Sequence, residues 1–285
     1  MVCSCSESPP FEGKGTVRLR CALAGFARAA PYVVIRWPCR ATNELAGVLE
    51  SPTVGFKTAV RSHKRMTRLC SSRFERAARK LGWSRIAGLD EAGRGALFGP
   101  VVAAAVILNP KRRIVGLDDS KQLAPERRAR LAERIREHAL AWAVAEVDAQ
   151  RIDAWNIYQA SRQAMAAALG QLALQPDYLL IAALQLDVLI EQKSLIKGDT
   201  RSVSIAAASI LAKTHRDARM EEWDAIYPLY GLARHKGYAT VDHLEALRRH
   251  GASPLHRYSF APVRDAGCWS AGAIQIALLP DPVSP

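Results

Sequence analysis

The run Val101 to Leu108, VVAAAVIL, narrows the possible folds more than any other segment. A strand with one wet face alternates apolar and polar residues, and this one has no polar face, so it is buried on both sides. Ile86 to Leu89 makes a strand before it and is followed by a Gly-rich turn. Ala141 to Val147 reads as a third strand, Tyr178 to Ile181 as a short buried one, and Leu195 to Lys197 as a candidate last one. Arg73 to Leu81 reads as a short basic helix closed by Gly82. Pro125 at a first helical turn opens a charged helix to about His138, although Ala124 offers no side-chain cap. Asp153 to Leu172 is expected to be one helix, with Ile157, Met165 and Leu169 at helical spacing. Val203 to Ile226 is a helix rich in Ala and Ile, and Val241 to His250 is amphipathic. Strands first and helices last predict an α/β fold: a mixed sheet flanked by helices, with a helical C-terminal lobe. There is no internal repeat.

A chain of 285 residues with 49% hydrophobic content can bury one substantial core, and length alone also allows two small domains. No run approaches the roughly 18 apolar residues of a membrane span, so no membrane role is expected. The net charge of +13 suits a polyanionic partner, because Lys and Arg displace counterions condensed on phosphates. Of that excess, +6 lies in residues 1–65, which lack steady periodicity and whose apolar stretch is interrupted by Arg28. This segment is expected to be disordered or to precede the true start at Met66; an Arg-rich targeting peptide is the alternative. Residues 66–263 then form the folded domain, and 264–285, with Pro280, Pro282 and Pro285, a loose tail. Cys3, Cys5, Cys21, Cys39 and Cys70 precede the first strand, and Cys268 follows the last helix. No pair has zinc-site spacing, and a core without a cysteine framework fits a reducing cytoplasm.

The chemistry concentrates in Asp90-Glu91-Ala92-Gly93-Arg94-Gly95, directly after a buried strand. A carboxylate at such a strand end is held rigidly at a sheet edge, and neighbouring acids repel unless a cation or proton relieves them. The glycines let backbone N–H groups approach a phosphate or ribose, and Arg94 adds charge. An ordinary strand-to-loop turn with solvated charges is the competing explanation. Asp199, in Lys197-Gly198-Asp199, is a second acidic candidate. Ser120 and Lys121 in Asp-Ser-Lys, and Asn156, could contact phosphate or be plain surface polarity. Asp217 inside the long helix is assigned to a salt bridge. His235 and His256 show no HxxxH or HExxH spacing; His256 and Arg257 are assigned to packing before backbone contact.

The stretches LDEAGRGALFGPVVAAAVIL, DDSKQL, SIAAASILAKTHRD, YPLYGLARHKGYAT and HRYSF resemble ribonuclease HII in order and spacing over about residues 84–263. The resemblance implies a ribonuclease H-like fold and a two-metal endoribonuclease using Mn2+ or Mg2+. Its substrates would be RNA–DNA hybrids and duplex DNA with embedded ribonucleotides. It implies a monomer, with a sliding clamp as a candidate partner. The family's adjacent Asp-Glu pair falls on Asp90 and Glu91, and its Lys-Gly-Asp carboxylate on Asp199. The Gly-Arg-Gly element that grips the RNA–DNA junction falls on Gly93, Arg94 and Gly95, and the tyrosine that senses the 2′-hydroxyl falls on Tyr238.

One position departs from the pattern. The third catalytic carboxylate, an Asp ending a strand, falls on Ala182, and a methyl group cannot ligate a cation. Cleavage is therefore expected to be strongly impaired while fold and nucleic-acid binding survive. Asp187 and Glu191 lie beyond that strand end, and replacement by either would need the loop to fold back. The alternative is a catalytically inactive relative that binds hybrids.

Overall fold

The computed structural model describes residues 70–266. The expected extension over residues 1–65, the start at Met66 and Cys268 lie outside the described residues. So does the expected C-terminal tail beyond its first residues.

Five strands form one sheet: β1 (Ile86–Ala92), β2 (Val101–Ile107), β3 (Ala141–Val147), β4 (Tyr178–Ala182) and β5 (Glu191–Leu195). Their order is β3-β2-β1-β4-β5. β2 runs antiparallel to both neighbours, and β4 and β5 run parallel to β1, so every strand except β2 ends at the same sheet edge. The helices are α1 (Arg73–Lys80), α2 (Pro125–His138), α3 (Ala149–Trp155), α4 (Ile157–Gly170), α5 (Val203–Ile226), α6 (Leu232–His235), α7 (Val241–His250) and α8 (Ala261–Asp265).

β2 is buried along its whole length, as its unbroken apolar run requires. Ala103 and Ala105 face Ala160, Ala164 and Met165 of α4 on one side of the sheet. Val102, Ala104 and Val106 face α5 and α2 on the other, through Ala206, Ala207, Ile210, Leu131 and Ile135. Small residues on both surfaces let α5 come very close. A methyl group added at Gly88 of β1 would lie 2.1 Å from the backbone carbon of Ser204. The far half of α5 leaves the sheet and anchors a helical lobe in which Met220 packs with Leu97, Phe98, Tyr230, Leu232 and Leu247.

Three sequence expectations are corrected. β1 continues through the acidic pair to Ala92, because its pairing with β2 extends to Ala92 opposite Val102. The single helix expected from Asp153 to Leu172 is two helices, broken where Asn156 takes φ 70°. The last strand lies at Glu191–Leu195, and Lys197 (φ 53°) turns the chain into a short 3-10 segment, Gly198–Thr200. The last described helix, α8, ends at Asp265, two residues beyond Val263.

Candidate active site

The shared edge of β1, β4 and β5 opens into a cleft of about 550 Å3. Asp90 and Glu91 enter it from β1, Ala182 and Ala183 from the end of β4, and Asp199 from the 3-10 turn after β5. Leu89 pairs with Ile181, so continuing that register by one residue sets Ala182 beside Asp90. Gly93, Arg94, Gly95, Ser120, Lys121 and Tyr238 line the same cleft, so the structure gathers almost every residue singled out in the sequence.

Asn156 is the exception. It does not line the cleft, and its side-chain oxygen accepts from Tyr158 and Gln159 N–H at 3.0 and 3.1 Å, capping α4. A residue forced to positive φ at a helix joint uses its amide locally. Asp187 pairs with Arg162 at 2.7 Å, and Glu191 opens β5 at the end away from the cleft, so neither adds a carboxylate beside Ala182. Asp217 is the salt-bridge residue expected, held by Arg128 at 3.0 Å and Lys213 at 2.6 Å. His256 and Arg257 are fully buried and serve the interior of the lobe.

Burial sets the electrostatics. Asp90 is 8% exposed. Its burial pushes the carboxyl well above the ordinary carboxylate range, and the charges of Glu91 and Asp199 push further against a hydrogen bond from Ser209. Glu91 is also raised by burial, opposed by Arg94, whose Nη1 donates to Oε1 at 3.2 Å. Asp199 is raised by burial and then by Asp119, with Lys121 opposing at 3.9 Å. Its turn is anchored from behind by the Cys70 thiol, which donates to the Asp199 carbonyl at 2.7 Å. Burial, Asp118 and Asp199 raise that thiol to about 12, so it stays protonated.

The donor chemistry suits a hard divalent cation: three carboxylates with little water around them, and an Oε2 of Glu91 that is buried without a hydrogen-bond partner. The number of donors is short. Among the described residues, no group of three or more His, Cys, Asp or Glu side chains could hold a metal ion. The residues therefore fit a cation in kind but fall short in number.

Sequence reasoning missed Ser209, Lys213 and Lys197, all of which line the cleft. Ser209 and Lys213 are four residues apart in a helix otherwise rich in Ala and Ile, so they share a face, which was the available signal. Ser209 also bonds Ser120 at 2.9 Å, tying the Asp-Ser-Lys loop to α5.

A mixed sheet flanked by helices, with acids gathered at its shared strand ends, is the class of α/β protein that can hold cations beside a phosphate, and likeness to known proteins makes it a ribonuclease H-like hydrolase. The ribonuclease HII family profile matches residues 87–263. Ribonuclease HII of Solibacter usitatus is 56% identical over 195 residues, covering 68% of this chain and 86% of that protein. The Enterococcus faecalis ribonuclease HII is 54% identical over 194 residues, covering 68% and 76%. The chain belongs to the ribonuclease HII family, endonucleases of ribonuclease H type. Among solved structures, ribonuclease H2 of Pyrococcus horikoshii OT3 superposes with TM-score 0.58 at 25% identity, covering 64% of this chain and 97% of that one. Bst-RNase HIII in complex with Mn2+ shares the fold, with TM-score 0.53 at 24% identity over 67% of this chain and 71% of that one.

Proposed function

We propose that the chain binds duplexes in which ribonucleotides are paired with DNA and hydrolyses the ribonucleotide strand, at a rate held down by Ala182. One observation carries this reading: the carboxylates Asp90, Glu91 and Asp199 share a single cleft with the Gly93-Arg94-Gly95 loop and Tyr238.

Asp90, Glu91 and Asp199 would hold Mg2+ or Mn2+, which when bound supplies Lewis acidity at the scissile phosphate and lowers the pKa of the attacking water. Arg94, Lys121, Lys197 and Lys213 line the cleft as cations for the phosphate backbone. Gly95 faces open space, so a ribose can approach the loop backbone closely. Tyr238 offers a ring beside that loop, and the 2′-hydroxyl is the group by which a protein tells RNA from DNA. The products would carry 3′-hydroxyl and 5′-phosphate ends. With Ala at position 182, the remaining carboxylates orient the attack less tightly.

The test uses this chain, end-labelled duplexes with one ribonucleotide, an RNA–DNA hybrid and an all-DNA duplex, with Mn2+ or Mg2+. Preferential binding of the first two, and slow cutting of them only, is the expected result. Equal binding to all three, or cutting of all-DNA duplex, refutes the proposal. A second reading, a hybrid-binding relative without activity, is favoured because no group of three or more His, Cys, Asp or Glu side chains among the described residues could hold a metal ion. It predicts the same preference with no cleavage at any cation concentration.

A further inference from the structure

Two of the largest fully buried side chains are arginines, Arg216 and Arg257, and neither forms an ion pair with an acid among the described residues. A guanidinium taken out of water is costly unless its donors are satisfied. Here the partners are backbone carbonyls, with Nη2 of Arg257 buried and left without one. Arg257 Nε donates to Gly99 O and Nη1 to Arg94 O, each at 2.9 Å. Arg216 Nη1 donates to Lys236 O at 2.8 Å, Nη2 to Phe98 O at 3.2 Å and Nε to Pro100 O at 3.4 Å.

Four carbonyls of residues 94–100 are thus turned inward onto two cations. The fifth, Lys236 O, belongs to the turn that delivers Tyr238. The same segment is clasped from both sides, with Leu97 N–H donating to Gly237 O and Arg257 N–H to Leu97 O, each at 2.8 Å. In a trans peptide the N–H points opposite to the C=O. Drawing Arg94 O onto Arg257 therefore aims the Gly95 N–H away from the interior, on the residue that lines the cleft. Arg216 fills the space beneath Gly93, where an added methyl group would lie 2.0 Å from its Nε. Its guanidinium stands 5.2 Å from the centroid of the Tyr238 ring.

Packing alone does not call for two charges here, since apolar side chains of similar volume fill a core at less desolvation cost. What apolar groups cannot do is gather carbonyls from two separate segments. We propose that Arg216 and Arg257 are positioning residues for substrate discrimination, holding the Gly93-Arg94-Gly95 loop and Tyr238 in one arrangement that reads a ribonucleotide junction. The inference rests on the nucleic-acid reading of the cleft given above. Burial and the neighbouring charge of Arg216 lower Arg257 to about 9, which leaves it charged at neutral pH.

The experiment compares the full chain with Arg216→Lys and Arg257→Lys, which keep charge and stem but lose the forked bonds. Fluorescence anisotropy gives Kd for a duplex with one ribonucleotide and for the all-DNA duplex of the same sequence. Each variant should lose about tenfold of the preference, the scale of one charged hydrogen bond. Affinity for all-DNA and its salt slope should stay, because no phosphate-facing cation is removed. Amide exchange over residues 95–99 should speed up. Unchanged preference in a variant with an intact melting transition overturns the proposal. If one variant fails to fold, the other decides, and unchanged exchange over residues 95–99 also overturns it. A parent chain without any preference refutes the nucleic-acid reading and this inference with it; a discriminating parent with equally discriminating variants refutes only the inference.

Discussion

Ala182→Asp should destabilise the metal-free protein and make its stability depend on divalent cations. The register that pairs Leu89 with Ile181 sets position 182 beside Asp90, one strand spacing or about 4.8 Å away. Two unit charges at about 5 Å repel by about 3 kcal/mol at an effective dielectric constant of about 20. Asp90 is already pushed upward by burial, Glu91 and Asp199, so the variant relieves part of this by taking up a proton. For a folded region of this size, about 3 kcal/mol corresponds to a fall in Tm of up to about 10 °C. Ala182→Asn adds similar bulk without charge and controls for volume. The assay is thermal unfolding at pH 7.5, once in chelator and once with millimolar Mn2+ or Mg2+. Ala182→Asp should melt below the parent and below Ala182→Asn in chelator, and should gain more than either when cations are added. Equal melting in chelator with no added response to cations would refute the reasoning.

Three further outcomes follow from packing and burial. Gly88→Ala drives a methyl group into the Ser204 backbone at 2.1 Å, so it should cost roughly 4 kcal/mol or more and abolish a cooperative melt; a Tm near the parent's contradicts the close contact of α5 on β1. Glu75 Oε1 accepts from Ser202 Oγ at 2.5 Å and Ser204 N–H at 2.9 Å, at the start of α5 beside the Asp199 turn. Glu75→Ala should lower stability by about 2 kcal/mol in urea unfolding, and an unchanged midpoint would count against that clamp. His243 and His256 are lowered by burial from 6.5 to about 4 and about 3, so the unfolded chain takes up protons first on acidification. Their contribution is present above pH 6.5 and lost as pH falls toward those values, about 2 kcal/mol each by pH 5. A Tm independent of pH from 7 to 5 would contradict their burial as neutral rings.

Much of the fold was legible because burial leaves a periodic trace. β3 and the helices α2, α5 and α7 begin and end where composition and caps put them. Boundaries failed where a local signal was overridden. β1 carries two charges into its last residues because β2 keeps pairing with it, and no pattern in Asp90-Glu91 announces that. Asn156 reads as a phosphate contact or helix-surface polarity, but its positive φ breaks the helix and consumes its amide. The acidic cleft was legible through the resemblance to ribonuclease HII, which joined Asp90, Glu91 and Asp199, whereas the residues alone left an ordinary turn as a competing explanation. The arginines behind it were not: sequence reasoning assigns Arg257 to packing and does not single out Arg216, and only the folded chain shows them donating inward to backbone carbonyls.

The account depends on position 182 limiting the chemistry while binding and fold persist. Single-turnover cleavage of a duplex with one embedded ribonucleotide, by this chain and by Ala182→Asp at equal Mn2+, measures that dependence. The added carboxylate should raise the rate by on the order of 100-fold or more, with products cut only at the ribonucleotide. Indistinguishable rates, whether both fast or both absent, would contradict it.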